Sequence, residues 1–235
     1  MLLRRRTPNV PPVLEKIDNA IGSNTIVAYK RALELAPHLA AVSIGTTNRG
    51  QEAHFRGHVR GLRRSTVALP VRAAYYENFI KDAYTITRMA PFETFYKERG
   101  VPVTAGTMAD AIVLHELGHA DRFAGLVTAN YGDSKRAHRE GTEAYRQQRA
   151  TLPTAMGVAE AQAHGLIDKP SDIWLKSAEA YAQLTEEKGA DDFALSALAT
   201  LYNIDSHVTM FPAIAQPNVP RSYPEYARIM GLPPL

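Results

Sequence analysis

Residues 112–119 read Ile-Val-Leu-His-Glu-Leu-Gly-His, and this stretch decides how the rest of the chain is interpreted. It contains the pattern HExxH, with histidines at positions 115 and 119. Because positions four apart lie on the same face of an α-helix, His115 and His119 can bind one metal ion between them. Glu116 lies beside the first histidine, where it can reach a water on that ion without binding the ion itself. The stretch therefore predicts a helix that carries a zinc site, with Glu116 as the general base.

The residues around this motif predict a buried helix. Residues 111–114 are apolar, and Thr107-Met108-Ala109-Asp110 has the spacing of a capping box at a helix N-terminus. We expect the helix to run to Ala124 and to end at Gly125. A capped, apolar helix favours a true metal site over a coincidental match to a five-residue pattern.

Two histidines are too few for catalytic zinc, which usually takes three protein ligands and leaves one position for water. The metzincin pattern would place a glycine and a third histidine shortly after the motif. Those places hold Arg122 and Gly125, which excludes that class. The third ligand must therefore come from another part of the chain.

A long helix predicted from Ser171 to Tyr202 contains a stripe that mixes apolar and acidic residues. Its members follow one another at steps of three and four: Leu184, Glu187, Asp191, Ala194 and Leu198. Bare carboxylates are very costly to bury in a stripe that faces a core. Glu187 is therefore our first candidate for the third ligand. Asp191, one turn later, is predicted to accept the free ring N–H of a liganding histidine.

Other acidic residues and one histidine remain open as third ligands. Glu179 is the main alternative, and Glu186 shares its predicted helix face. That face lies about 100° from the Glu187 stripe, so one helix cannot present both faces to one ion. The remaining candidates are Glu140, Glu143 and His164.

The two motifs together resemble a known family. His115-Glu116-Leu117-Gly118-His119, followed by Glu187-Lys188-Gly189-Ala190-Asp191, is similar to the HExxH…ExxAD pattern of gluzincin metallopeptidases, particularly the CAAX-type endopeptidases and their soluble relatives. The resemblance implies a zincin-like fold, Glu187 as the third zinc ligand and Asp191 as support for a histidine. It covers two helices. The chain departs from it at Asp121, where zincins usually have an apolar residue, and it lacks the membrane spans of the CAAX enzymes.

A second resemblance keeps Glu179 in consideration. The segment Glu179-Ala180-Tyr181-Ala182 is similar to the third-ligand helix of lethal-factor-like zincins. By that resemblance Glu179, in place of Glu187, would complete the zinc site.

The N-terminal half is predicted to mix helices and strands. Two helices are expected in residues 14–39, separated at Gly22-Ser23-Asn24. A period of two in residues 53–59 and a second run in residues 65–71 predict a hairpin or meander. We therefore expect an α+β protein, mostly helical, with a small antiparallel β-sheet in the N-terminal half. Residues 1–235 are predicted to form one zincin-like domain, with a mixed part at 1–105 and a helical part with the metal site at 106–235.

Composition limits the possible functions. The chain has 235 residues, no cysteine and a net charge of +3, so disulfides, thiolate zinc sites and cysteine nucleophiles are excluded. No signal peptide or apolar run of membrane-spanning length is present, which predicts a cytoplasmic protein, with export by a signal-independent route left open. The arginines at 4–6 and at 60–64 favour solvated surface over nucleic-acid binding.

The predicted function is a zinc-dependent metallopeptidase that hydrolyses a peptide or protein substrate. The strand at residues 65–69 is predicted to pair with an extended peptide. The candidates for stabilising the oxyanion are Tyr131, Tyr145, Tyr202 and His207.

Two other readings of the motif lead to different functions. One is a non-catalytic binding module stabilised by zinc, in which His164 or His207 would be a fourth ligand. The other is a di-iron carboxylate bundle, which needs a second ExxH unit. Glu160 and His164 are four residues apart, so this second unit is absent.

Overall fold

The structure is a computed structural model that describes residues 10–48, 51–81, 87–150, 152 and 177–202. Several predicted features lie outside these residues. They are the start of the long helix at Ser171 and the candidate ligands His164 and His207.

Two short helices open the described part of the chain, as predicted. Helix α1 is Pro12–Ile21 and α2 is Thr25–Leu35. Gly22 separates them with a φ of 66°, a left-handed conformation that glycine adopts at little cost. Asp18 fixes the following turn by accepting hydrogen bonds from the backbone N–H and hydroxyl of Thr25, at 2.7 and 2.6 Å.

The sheet has three strands: β1 (Ser43–Thr46), β2 (His54–Arg56) and β3 (Thr66–Leu69), in the order β1-β3-β2. β2 pairs with β3 antiparallel, but β1 pairs with β3 parallel. The sheet is thus mixed, and the prediction of an antiparallel sheet is wrong. Alternation along a strand indicates which residues face the core and says nothing about which strand lies beside it.

β3 is the central strand, and this overturns a second prediction. Both of its edges are hydrogen-bonded to neighbouring strands, so residues 65–69 have no edge on which an extended peptide could pair. Within the described sheet, β2 is an edge strand.

Helices make up most of the remaining described residues, which confirms the α+β class with a small sheet. They are α3 (Ala73–Asn78), α4 (Ala90–Glu98), α5 (Ala105–Ala129), α6 (Ser134–Arg149), the helical residues 177–182 and α7 (Thr185–Leu201). None of the described helices combines the length and the hydropathy that crossing a membrane requires.

α5 carries the HExxH motif and begins one turn before the predicted cap. The hydroxyl of Thr104 accepts a hydrogen bond from the Thr107 N–H at 3.2 Å, and the Thr107 hydroxyl accepts one from the Thr104 N–H at 2.9 Å. Thr104 is therefore the N-cap, and Thr107 is the N3 residue that completes the capping box. Asp110, predicted in the box, is instead fully buried inside the helix.

The predicted end of this helix at Gly125 is also wrong. α5 continues to Ala129, since a single exposed glycine costs a helix only about 1 kcal/mol relative to alanine. The chain turns only at Tyr131 and Gly132, whose φ angles are 54° and 86°.

α5 lies at the centre of the described structure and packs against α2, α6, α7 and the sheet. Its core residues include Val113, Leu114 and Leu117, all with no exposed surface. Asp110 ties its first half to neighbouring elements, because its carboxylate accepts hydrogen bonds from the Asn24 N–H at 2.9 Å and from the Tyr202 hydroxyl at 3.4 Å.

α7 begins later than predicted, which changes the relation between the acidic candidates. The chain turns at Gln183 and Leu184, and Leu184 is the extended N-cap of α7, with φ −57° and ψ 136°. The prediction of one continuous helix through these residues is therefore wrong. Glu179 precedes this break, so it does not share a continuous helix face with Glu186.

Candidate metal centre

The backbones of α5 and α7 come unusually close at Gly118. A Cβ atom at this position would lie 2.6 Å from the carbonyl oxygen of Ala190 and 2.7 Å from its Cα. No ordinary Cβ makes such contacts, so only glycine fits here. This approach brings Glu187, one turn before Ala190, opposite the two histidines of α5.

His115, His119 and Glu187 converge in the gap between the two helices. The Nε2 atoms of His115 and His119 are 3.1 Å apart, and Glu187 Oε2 lies 3.2 Å from the first and 3.6 Å from the second. In a tetrahedral zinc site with ligands about 2.0 to 2.1 Å from the ion, neighbouring ligand atoms are about 3.3 Å apart. The three distances match that spacing, and the group could hold a metal ion.

Asp191 contacts the opposite ring nitrogen of His115. The distance from His115 Nδ1 to Asp191 Oδ1 is 2.7 Å, which fits donation from the ring N–H to the carboxylate. This contact leaves Nε2, the nitrogen near Glu187, as the acceptor that a metal ion needs. Asp191 lies one turn after Glu187 on α7 and contacts one of the same histidines, as predicted from the stripe of acidic and apolar residues.

Burial makes this group dependent on a positive charge. Glu187 and Asp191 are only 3% and 6% exposed. Burial opposes the charged form of His115, but its hydrogen bonds with Asp191 and Glu187 outweigh burial and raise its pKa to about 10. Burial likewise raises the pKa of Glu187, but hydrogen bonds from His115 and His119 outweigh this and lower the pKa well below its usual range. A proton on a histidine or a bound metal ion can supply the required charge.

The group opens onto a cleft of about 660 Å³. α5 and α7 form its floor, and its walls come from β2, α6 and the helical residues 177–182. Glu116 lines the cleft beside the three candidate ligands and is 7% exposed. The carboxylate that the motif assigns as a base thus lies in the same cavity as the candidate ligands.

The other candidate ligands have different partners or positions. Glu140 is bonded to Arg136 at 2.7 Å, and Glu143 accepts a hydrogen bond from Gln147 at 2.8 Å. Glu179 is half-buried and belongs to no group of potential ligands. Among the described residues, only His115, His119 and Glu187 form such a group.

Glu186 binds a different partner from Glu187, its neighbour in the sequence. Its two carboxylate oxygens accept hydrogen bonds from Arg122, at 2.9 Å from Nε and 3.2 Å from the terminal nitrogen. This paired contact joins α5 to α7 beside His115, His119 and Glu187, which are called the metal group below. Nothing in the sequence alone indicates that Arg122 and Glu186 are partners.

Of the tyrosines predicted to stabilise an oxyanion, Tyr145 lies at the site. Its hydroxyl is 3.4 Å from Glu187 Oε1 and 3.0 Å from the hydroxyl of Tyr181. Tyr202 instead contacts Asp110, and Tyr131 is fully exposed in the turn after α5. Tyr181 was not predicted as a functional residue, although it lies in the segment that resembles lethal-factor-like zincins.

No protein-family model, curated protein or solved structure matches this chain. The similarity to gluzincins therefore rests on two short motifs. The geometry of His115, His119 and Glu187 shows a potential metal site and leaves the family as an inference.

Proposed function

We propose that this protein is a zinc-dependent metallopeptidase with a zincin-like arrangement. His115, His119 and Glu187 would hold the zinc ion, and Glu116 would act as the general base. The observation that carries this proposal is the convergence of the three ligand atoms at 3.1 to 3.6 Å on the floor of a cleft that also contains Glu116.

The ligand chemistry favours zinc. Two imidazoles and one carboxylate form a common donor set of catalytic zinc, whereas magnesium and calcium prefer oxygen ligands alone. Three protein ligands also leave a coordination position for water or substrate, as catalytic sites require. Asp191 supports the assignment because metal-binding histidines usually donate their other ring N–H to a carboxylate or carbonyl.

The mechanism assigns one task to each neighbouring group. Zinc, when bound, lowers the pKa of its water towards neutrality and polarises the substrate carbonyl. Glu116 accepts the proton of the attacking water and returns it to the leaving amine. Tyr145, whose hydroxyl lies beside Glu187, donates a hydrogen bond to the oxyanion. Asp191 holds the ring of His115 in one orientation.

An extended peptide fits the cleft as a substrate. β2 is an edge strand of the described sheet and supplies His54 and Phe55 to the cleft wall. Such an edge can form main-chain hydrogen bonds with an extended chain. The peptide would run along β2, and its scissile carbonyl would lie over the metal group.

Metal analysis of the purified protein tests the ligand set. Wild type is expected to retain close to one zinc ion per chain after dialysis, and Glu187→Gln is expected to lose it. Glu179→Gln is the control, because it removes the alternative carboxylate and should leave the zinc content unchanged. Loss of zinc in Glu179→Gln with retention in Glu187→Gln would reverse the assignment, and a wild type without zinc affinity would end the proposal.

Glu116→Gln tests the catalytic role. The variant should keep its zinc and lose about 100-fold to 10,000-fold in the rate of peptide-library cleavage, measured by mass spectrometry, because it lacks a general base. Glu143→Gln, an exposed change on α6, is the control. If wild type binds zinc but cleaves no peptide, the zinc-stabilised binding module becomes the better explanation.

A further inference from the structure

The hydroxyl of Tyr181 lies in the cleft beside the metal group, and the proposed chemistry gives it no task. It is 3.0 Å from the hydroxyl of Tyr145. The Tyr145 hydroxyl is in turn 3.4 Å from Glu187 Oε1. Both tyrosines line the cleft, so a short chain of polar groups leads from Tyr181 through Tyr145 to a candidate metal ligand.

The direction of hydrogen bonding along this chain follows from the number of protons available. Tyr145 has one hydroxyl proton and donates it to Glu187, because an ionised carboxylate only accepts. The hydrogen bond between the two hydroxyls is then donated by Tyr181 and accepted by Tyr145. Arg149 is also hydrogen-bonded to Tyr145, and a guanidinium only donates. Both lone pairs of the Tyr145 oxygen are therefore occupied, and its proton is directed at the metal group.

The contact with Glu187 is the loosest hydrogen bond of the Tyr145 hydroxyl. Hydrogen bonds between oxygens are usually about 2.5 to 3.0 Å long. The contact between the two tyrosines lies within that range at 3.0 Å, and the contact with Glu187 exceeds it at 3.4 Å. The Tyr145 proton can therefore leave Glu187 for a stronger acceptor while the bond from Tyr181 is kept. A substrate oxyanion above the metal group is such an acceptor, because hydrogen bonds to a charged oxygen are shorter and stronger.

Tyr181 is itself held in place on the opposite wall of the cleft. It belongs to the helical residues 177–182, whereas Tyr145 belongs to α6. The guanidinium of Arg88 lies 4.2 Å from the centre of the Tyr181 ring, a cation–π contact. Because successive hydrogen bonds polarise one another, the bond that Tyr145 accepts from Tyr181 makes Tyr145 a better donor.

We propose that Tyr181 is a positioning residue, whose hydroxyl donates to Tyr145 and thereby directs the Tyr145 proton towards the oxyanion of the substrate. This inference rests on the proposed peptidase function and adds a residue to its oxyanion site. Tyr181 acts only through Tyr145 and does not touch the substrate. Its hydroxyl therefore matters to the reaction only while the hydroxyl of Tyr145 is present.

A double-mutant cycle of Tyr145→Phe and Tyr181→Phe tests this dependence, since each change removes one hydroxyl and keeps the ring. The probe is an acetylated alanine tetrapeptide amide whose central peptide bond is replaced by a phosphinic group, which has the charge and tetrahedral shape of the oxyanion. Titration calorimetry measures its affinity relative to that of the ordinary tetrapeptide. The background is zinc-loaded, full-length Glu116→Gln, so that binding is measured without cleavage.

The expected result is a loss that does not add up across the cycle. Tyr145→Phe should lower the relative affinity for the phosphinic peptide by about 100-fold, as loss of an oxyanion donor does. Tyr181→Phe should lower it by about tenfold, the usual effect of weakening a charge-assisted hydrogen bond. The double variant should match Tyr145→Phe alone. Additive losses, an unaffected Tyr181→Phe, or a background protein that does not prefer the phosphinic peptide would overturn the proposal.

Tyr76→Phe is the matched control. It also removes a buried tyrosine hydroxyl, which donates to the Pro70 carbonyl at 2.7 Å, but Tyr76 does not line the cleft. The relative affinity should not change, and a drop equal to that of Tyr181→Phe contradicts the proposal. Zinc content and circular dichroism identify variants that fail to fold. If Tyr181→Phe is one of them, Tyr181→Met, which also lacks a hydroxyl, replaces it in the cycle.

Cleavage by the enzyme with Glu116 intact separates this inference from the proposed function. Tyr181→Phe should lower kcat by about tenfold and leave KM unchanged, because the oxyanion exists only in the transition state. If the affinities follow the cycle but no peptide is cleaved, the peptidase function fails and the role of Tyr181 towards Tyr145 stands. If peptides are cleaved and Tyr181→Phe keeps the kcat of wild type, the peptidase function stands and the role of Tyr181 fails.

Discussion

The two sides of the cleft are built in opposite ways. On one side, α5 and α7 touch backbone to backbone at Gly118 and bury the carboxylates of Glu187 and Asp191. On the other side, β2 is a short edge strand, and α6 buries only Ala137 among its residues. The first side fixes its ligands to within a narrow range of distances, and the second exposes polar groups to the cleft. The candidate metal centre would need the first kind of side, and the proposed binding of extended peptides would need the second.

This difference predicts that similar substitutions have unequal costs on the two sides. On the helix-pair side, a change of one methyl group or one charge should affect stability and metal binding. On the wall formed by β2 and α6, comparable changes should be tolerated.

Gly118→Ala should have the largest effect. Its Cβ would meet backbone atoms of Ala190 at 2.6 and 2.7 Å, and no side-chain rotation can relieve this. We expect a loss of more than about 3 kcal/mol in the free energy of unfolding, above the usual range for overpacked cores because the clash is with backbone, together with reduced zinc content. Denaturant unfolding and metal analysis measure both effects.

Gly125→Ala is the matched control for that change. It lies on the same helix, and nothing comes within 4 Å of its added Cβ. It should stabilise the protein by up to about 1 kcal/mol because alanine is the better helix former. Equal losses in the two variants would show that the close helix contact is not the cause.

Asp110→Asn should produce the next largest effect, and this effect depends on pH. Burial raises the pKa of Asp110 from 3.8 to about 7, against the lowering effect of the hydrogen bond from Asn24. The folded protein therefore holds this proton more tightly than the unfolded chain, and stability is lost as the pH rises from about 4 through 7. Asparagine removes this loss and retains an acceptor for the Asn24 N–H.

Thermal unfolding across the pH range measures the effect of Asp110. The variant should gain on wild type progressively between pH 4 and 8, by on the order of 3 to 4 kcal/mol at the upper end, since the shift spans roughly three pKa units and each unit corresponds to about 1.4 kcal/mol. A difference between the two proteins that stays constant with pH would rule out titration of Asp110 as its source.

Asp191→Asn should weaken metal binding without abolishing it. Loss of a carboxylate that holds a metal-binding histidine typically lowers affinity by about 10-fold to 100-fold. Competition with a chelator measures zinc affinity directly. Asp192→Asn, one residue further along α7 and half-buried, should leave the affinity close to that of wild type. An unaffected Asp191→Asn would mean that the contact with His115 does not orient the ring for a metal.

Gly141→Ala should have the smallest effect, although this glycine also lies between helices. Its added Cβ would meet only a methyl group of Leu126, at 3.1 Å. That side chain can move, and alanine favours the helix by about 1 kcal/mol, so the net change in stability should be near zero. Zinc content should not change. A loss comparable to that of Gly118→Ala would remove the proposed difference between the two sides.

The metal group was predictable because its residues follow helical periodicity. Spacings of four along α5 and along α7 place His115 with His119, and Glu187 with Asp191, whatever the rest of the fold does. Carboxylates in an apolar stripe need a cation, so the sequence alone linked two helices far apart in the chain. Their juxtaposition in the structure agrees with that reasoning.

Features that depend on contacts between distant elements were not predictable. The parallel pairing of β1 with β3 leaves no trace in either strand's alternation. The break before α7 at Leu184 has no glycine, proline or capping side chain. The sequence therefore predicted one helix that continues through Leu184 and includes Glu179. Arg122 with Glu186, and Tyr145 with Tyr181, meet only once the helices are packed.

The close contact at Gly118 also changes how much information the motif carries in this chain. HExxH leaves two positions unspecified, occupied here by Leu117 and Gly118. Leu117 is fully buried, and a side chain at 118 would enter the backbone of α7. A library randomised at these two positions and selected for folding should return glycine at 118 and an apolar residue at 117. In this fold all five positions of the motif are therefore constrained. The proposed chemistry constrains three of them, and the space between the packed helices constrains the other two.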